Sequence, residues 1–101
     1  MASRLDLQEF LENLLGSRNV YFQPPTSVKM NYPAIVYKRI PGVKLPANDS
    51  AYVIFQKYEI VVIDRNPDSE FFEKLLVLPE CSFQRSYASD NLNHWVFNLF
   101  Y

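Results

Sequence analysis

The last twenty residues, from Ser82 to Tyr101, constrain the fold most, because apolar and polar residues alternate there on both sides of a polar turn. Alternation on each side of Ser89-Asp90-Asn91 predicts a β-hairpin. The sequence then finishes on Phe100-Tyr101, whereas a frayed terminus is usually polar. We therefore expect these final aromatic side chains to be buried, either in the core of the domain or against a partner.

The length of 101 residues fits one domain that covers residues 1–101. Hydrophobic residues make up 49% and charged residues 21%, which excludes an intrinsically disordered chain. Aromatic residues make up 16%, a high share for so small a core, and such side chains are enriched at protein interfaces. This composition favours an oligomer or a binding module.

Charge and apolar runs argue against several other classes of protein. The formal net charge of -1 lacks the basic excess of a dedicated nucleic-acid-binding domain. The single cysteine, Cys81, cannot form an intramolecular disulfide. The sequence contains neither the h-region of a signal peptide nor an apolar run near the roughly 20 residues of a membrane-spanning helix. We expect a soluble protein made in the cytoplasm.

Two helices are predicted. An apolar stripe and a Gly16 stop indicate a first helix from about Ser3, the expected cap, to Leu15. The stripe consists of Leu7, Phe10, Leu11, Leu14 and Leu15. A second helix should begin with Asn66 as its cap and Pro67 in its first position, and end before Pro79. Its predicted apolar face consists of Phe72, Leu75 and Leu76.

The remaining pattern predicts strands around one long loop. Short apolar runs indicate strands at residues 20–22 and 34–39, and residues 51–64 form the longest and most central strand. Residues 40–50 are rich in turn formers and are predicted to be a loop. The expected order is α-β-β-loop-β-α-β-β, an α+β domain with two helices packed on one mostly antiparallel sheet. Within it, we expect Trp95, Phe97 and Leu99 to pack on the first helix.

Few residues suit catalysis, so we expect no enzyme, cofactor or metal site. Cys81 and His94 are the best candidates for a nucleophile and base, together with Asp90. A buried, inert thiol and a structural histidine are the simpler interpretation. The acidic residues Asp64, Asp68, Glu70 and Glu73 surround the start of the second helix, where capping and the helix dipole explain them.

The long loop is the best candidate for contacting a partner, because it contains prolines and has basic residues around it. The candidate contact residues are Lys38, Arg39, Lys44, Leu45, Pro46, Asn48 and Asp49. A solvated loop flank is the alternative interpretation of the basic residues.

Four segments, in a fixed order and spacing, cover nearly the whole chain after the first helix. They are residues 20–25 (VYFQPP), 31–37 (NYPAIVY), 62–69 (VIDRNPDS) and 89–94 (SDNLNH). Together they resemble the small tail-completion proteins of long-tailed bacteriophages and prophages, the tail-terminator or tail-to-head joining family. Residues 40–50 carry the least of this resemblance.

The resemblance implies an α+β fold and a structural role in the virion, after assembly in the host cytoplasm. Proteins of this family form a ring, usually a hexamer, on the head-proximal end of the tail tube. The ring stops polymerisation of the tube protein and presents a surface to the head connector. DNA passes through its centre without sequence-specific binding. The competing hypotheses are a small cytosolic α+β enzyme or ligand-binding module that uses Cys81 and His94, and a host regulatory or toxin–antitoxin-like binding protein.

Overall fold

The computed structural model describes residues 4–25, 29–40, 44–46, 52–54 and 57–100. These residues form two helices and seven strands. In chain order they are α1 (Arg4–Leu15), β1 (Val20–Phe22), β2 (Ala34–Ile40), β3 (Lys44–Pro46), β4 (Tyr52–Ile54), β5 (Lys57–Asp64), α2 (Glu70–Leu76), β6 (Cys81–Ser89) and β7 (Leu92–Phe100).

Five of the strands form one sheet in the order β1-β2-β5-β7-β6. Only the pairing of β1 with β2 is parallel within this sheet, and the other three pairings are antiparallel. Strand β5 lies in the middle, as predicted, but the prediction of one longest strand over residues 51–64 was wrong: residues 52–54 form β4 in a separate two-stranded sheet, and β5 with 8 residues is shorter than β6 and β7 with 9 each. The α+β class, with a mostly antiparallel sheet and two helices, is therefore confirmed.

Helix α1 places its predicted apolar stripe on one face of the sheet. Leu7, Leu11 and Leu15 are buried in the core, and Phe10 and Leu14 are packed against it while partly exposed. Gly16 ends the helix with φ of 77°, and its N–H donates to the carbonyl of Glu12 at 2.9 Å. This left-handed conformation is the one that glycine adopts without a side-chain clash. The expected cap, Ser3, lies outside the described residues.

A polar contact fixes the register of α1 against the sheet. The Tyr37 hydroxyl on β2 donates to Oε1 of Gln8, and Nε2 of Gln8 donates to the Val20 carbonyl at 3.0 Å. The Arg4 guanidinium donates to the same hydroxyl at 3.3 Å. Burial raises the pKa of Tyr37, while the hydrogen bond from Arg4 acts in the opposite direction. A buried tyrosine thus keeps its hydroxyl paired.

Helix α2 begins later than the sequence indicated, and the prediction of Asn66 as its cap was wrong. The cap is Ser69, whose hydroxyl accepts from the N–H of Phe71 at 3.4 Å. Asn66 instead accepts from the N–H of Asp68 at 3.0 Å and so forms a turn before the helix. The predicted apolar face is also shifted, because Phe71 and Leu75 are buried while Leu76 is 47% exposed.

The predicted C-terminal hairpin is present as β6 and β7. Asp90 and Asn91 form its two-residue turn with φ of 54° and 62°, the positive values that a type I′ turn requires. Phe97 and Leu99 are buried in the same core cluster as Leu11. Trp95 is only half-buried and lies against Phe72 of α2, with ring centroids 6.3 Å apart. Tyr101 lies outside the described residues.

The predicted loop at residues 40–50 contains a short strand, β3, so that part of the prediction was wrong. Strands β3 and β4 pair antiparallel, with Lys44 opposite Ile54 and Pro46 opposite Tyr52. The ladder between β2 and β5 ends where Ile40 lies opposite Lys57. The β3–β4 pair is a separate two-stranded sheet, and residues 41–43 and 55–56, which connect it to β2 and β5, lie outside the described residues. We call β3 and β4 the arm.

Candidate functional site

The sheet has two ends of different character. The arm leaves the end at which Ile40 and Lys57 pair, which we call the arm end. At the opposite end, Ala34 lies opposite Ile63, and Asp64 lies opposite Asn93. We call this opposite end, with its connecting segments at residues 31–33, 65–69 and 90–91, the turn end. Of the candidate partner-contact residues, Lys38 and Arg39 lie near the arm end, and three of the four segments with the resemblance meet at the turn end.

Lys38 and Arg39 lie on β2 near the arm end, and each has a partner within the sheet. Nζ of Lys38 lies 3.7 Å from Oε2 of Glu59, the residue opposite it on β5. Nη2 of Arg39 donates to the Tyr58 hydroxyl at 3.3 Å. Successive strand residues point to opposite faces, so the two cations are not one basic patch. The Lys38 side chain is 60% exposed, so its ion pair with Glu59 contributes little to stability and Lys38 can still contact a partner.

The other candidate contact residues belong to the arm or lie outside the described residues. Lys44, Leu45 and Pro46 form β3. Asn48 and Asp49 lie in the segment between β3 and β4, which is not among the described residues. Part of the predicted loop is therefore a two-stranded ribbon, and its role in binding stays a prediction.

At the turn end, separate segments of the chain are joined by side chains. Nδ2 of Asn93 donates to the carbonyls of Asp64 and Arg65, both at 3.3 Å, and so connects β7 to the exit of β5. The Arg65 guanidinium lies 5.9 Å from the centroid of the Tyr32 ring. Nδ2 of Asn19 donates to the carbonyl of Pro33 at 3.4 Å, and the Tyr32–Pro33 peptide bond is cis.

The acidic residues near α2 are largely explained by local structure. Oδ1 of Asp64 accepts from the N–H of Asn66 at 3.0 Å. Glu70 and Glu73 lie in the first turn of α2, where negative charge is favourable, and Glu70 also approaches Lys74 at 3.9 Å. Within the described part of the chain, no group of three or more histidine, cysteine, aspartate or glutamate side chains is placed to hold a metal ion.

The fold does not bring Cys81 and His94 together. Cys81 lies opposite Leu99 at the arm end of β6, and His94 lies opposite Tyr87, so about 17 Å of strand separates the two residues. They also point to opposite faces, because Leu99 and His94 differ by an odd number of positions on β7. Burial raises the pKa of the Cys81 thiol to about 11, which disfavours the reactive thiolate.

His94 has a structural environment. Its ring stacks on Tyr87, with centroids 4.5 Å apart and planes 8° from parallel. Its Nδ1 lies 3.2 Å from the carbonyl of Leu92, a hydrogen-bond distance. Asp90 lies in the hairpin turn nearest to His94, at the opposite end of the hairpin from Cys81. These three residues therefore do not form one site.

A surface that the sequence interpretation missed is the sheet face opposite the helices, which we call the open face. It has an apolar centre at Val36, Val61 and Val96, one on each of β2, β5 and β7 in register. Val96 is 1% exposed and the other two are half-buried. Neither α1 nor α2 covers this face, since both pack on the other one. The only sequence feature that indicates it is the mixture of Val96, Asn98 and Phe100 on one face of β7.

The comparisons with known proteins give no relative for this chain: no protein-family model, no curated protein and no solved structure matches it. Neither helix of the described residues has the length and apolar character needed to cross a bilayer.

Proposed function

We propose that this chain is a structural protein of the virion, which caps the head-proximal end of a phage tail tube as a ring and provides the surface for head joining. The α+β fold agrees with what the sequence resemblance implies. Because no relative matches the chain, the proposal is supported by the resemblance together with the geometry of the folded domain.

One observation carries the proposal. Three of the four segments with the resemblance, residues 31–37, 62–69 and 89–94, are far apart in sequence but meet at the turn end. The remaining segment, residues 20–25, contains β1 and pairs with β2 beside them. A pattern that converges on one surface is expected when that surface has a shared task, and here the task would be contact with another virion protein.

The two ends of the domain differ from each other, which suits a ring between two different partners. The turn end presents polar turns and the Arg65–Tyr32 contact, whereas the arm end is where the chain leaves the sheet for the paired strands of the arm. A ring of identically oriented copies would present one end to the tail tube and the other to the head connector. Such a ring is built from heterologous contacts that close on themselves. Six copies is the number that the resemblance implies.

The geometry does not support the alternative of a small enzyme or ligand-binding module. That hypothesis needs Cys81 and His94 in one site, and they lie at different ends and on different faces of the hairpin. The raised pKa of Cys81 also works against a nucleophilic thiolate. The structural interpretation requires neither residue to be reactive.

The proposal is tested by inactivating the gene in its phage or prophage and examining the tails by electron microscopy. We expect tubes of irregular length that are not joined to heads, and rescue by the wild-type chain. A chain lacking Lys44 to Asn48 should fold but rescue poorly. Glu9→Ala, which changes an exposed residue of α1, should rescue fully. Normal tails joined to heads in the absence of the protein would contradict the proposal.

A further inference from the structure

The two edges of the five-stranded sheet differ in how they are protected. The edge strand β1 has only three residues, and Nε2 of Gln8 donates to its Val20 carbonyl at 3.0 Å. Just beyond β1, the side chain of Gln23 accepts from the N–H of Arg39 at 3.3 Å. Side chains thus satisfy backbone groups that another strand would otherwise bind. Short and blocked edges of this kind prevent unwanted strand pairing.

The opposite edge, β6, is long and open. It has nine residues, of which all but Cys81 are exposed, and among the described strands it pairs only with β7. Arg85 is the only charged residue in it, and it contains no proline. The register shifts between Phe83 and Arg85, which bends the strand there. Beyond this bulge, residues 85–89 continue in regular register, and we call them the edge segment.

The hairpin geometry indicates which backbone groups of the edge segment point outward. A two-residue turn at Asp90-Asn91 closes on a hydrogen-bonded pair, here Ser89 with Leu92. Along an antiparallel strand, alternate residues bond to the same neighbour. The N–H and C=O groups of Ser86 and Ala88 therefore point away from β7, and no described residue bonds to them.

The arm has the converse property, because its strands lack a sheet. Strands β3 and β4 have three residues each and, among the described strands, pair only with each other. A two-stranded ribbon is marginal alone and needs a third strand. The sequence of β4 is Tyr52-Val53-Ile54, all residues that favour strands, whereas β3 contains Pro46, which has no N–H to donate. β4 is thus the better strand for an added pairing.

We propose that β4 of one copy pairs with the edge segment of a second copy and extends its sheet. The contact is between molecules because the edge segment lies beside the turn end, while the arm leaves from the arm end. A second copy is the matching partner because the open edge and the strand without a sheet belong to the same chain. Each copy offers both halves, so the contact is heterologous and can close into a ring.

The pairing of β4 with the edge segment would be a contact between neighbouring copies in the proposed ring. That the contacts close into a ring, and that the ring has six copies, rests on the proposed function. The pairing itself can be tested on the isolated protein. If the pairing fails while tails still depend on the protein, only the contact is wrong. If tails do not depend on the protein, the proposed function is wrong even where the pairing is found.

The test is cross-linking between two single-cysteine variants. Both contain Cys81→Ser; one adds Val53→Cys on the arm and the other adds Ser86→Cys on the edge segment. We expect the mixture, treated with a short bismaleimide, to give a cross-linked dimer that neither variant gives alone. Ala88→Pro removes an outward N–H but no bond to β7, so adding it to the edge variant should abolish the product. Ala88→Ser, which keeps the N–H, is the matched control.

Three results would overturn the pairing. Equal cross-linking of the Ser86→Cys variant alone would show an edge-to-edge dimer. Equal cross-linking of the Val53→Cys variant alone would show contact between arms. No mixed product in concentrated protein would show that the edge segment does not bind the arm, and would leave an extended peptide of another protein as its occupant.

Discussion

Replacing Phe97 with alanine tests whether the C-terminal hairpin is part of the core. Phe97 is fully buried on β7, and its ring centroid lies 5.8 Å from that of Phe72 on α2 and 5.5 Å from that of Phe83 on β6. The substitution removes a ring that contacts both a helix and a neighbouring strand. The surrounding side chains can fill the space only by moving an element of the fold.

The expected loss is large compared with the stability of a small domain. Truncating a buried phenylalanine to alanine costs about 3–5 kcal/mol, because apolar contacts are lost and a cavity remains. A domain of this length has a free energy of unfolding of roughly 5–15 kcal/mol. With a urea dependence of about 1.5 kcal/mol per molar, the midpoint should fall by about 2 M or more.

Urea unfolding followed by the fluorescence of Trp95, the single tryptophan, measures this shift. Tyr87→Ala is the control, because Tyr87 is 47% exposed on the same hairpin and stacks on His94, so its loss should cost only about 0.5–1 kcal/mol. A Phe97→Ala midpoint as close to wild type as that of the control would refute the placement of β7 in the core.

Three further predictions concern the buried thiol of Cys81, the contacts of Asn93 and the net charge of the chain. Cys81 should react slowly with a disulfide reagent at pH 8, and faster as the pH rises toward the raised thiol pKa of about 11. Rapid labelling of the native protein at pH 8 would contradict the burial of Cys81. Asn93→Ala should lower the free energy of unfolding by about 1–2 kcal/mol, because it removes the amide that donates to the Asp64 and Arg65 carbonyls. Asn98→Ala on the open face is the matched control. An equal loss of stability in both variants would contradict the contact of Asn93. The protein should bind DNA weakly even at low salt, because its formal net charge is -1. Sub-micromolar affinity with a steep salt dependence would contradict this prediction and favour a nucleic-acid-binding function.

The parts of the fold that the sequence predicted are those with a strong local signal. The stripe of α1 has helical spacing and a glycine stop, and both are present in the structure. The hairpin of β6 and β7 has alternation and a turn of two residues that tolerate positive φ. In these elements the local preference of the chain and its burial agree.

Where two local signals compete, the sequence alone did not predict which of them the structure follows. Asn66-Pro67 is a good helix start, but Ser69 also caps well, and Phe71 and Leu75 reach the core only from the later start. The parallel pairing of β1 was not foreseen, because it depends on a connection through residues 23–33 rather than on any period.

The candidate site was predicted only in part, because local sequence patterns do not predict which distant segments contact each other. Proline and glycine at residues 40–50 indicated a loop, whereas residues 44–46 form β3 and pair with β4. The separation of Cys81 from His94 follows from strand register, which the sequence did not specify. That three of the segments with the resemblance meet at the turn end also depends on the order of the strands in the sheet, which the sequence did not specify.

The most direct test of the central proposal is to image assembled tails that contain a tagged copy of this chain and to count its copies. We expect a single ring of several copies, six by the family resemblance, confined to the head-proximal end of the tube. One copy per tail, no copy, or copies distributed along the tube would contradict it.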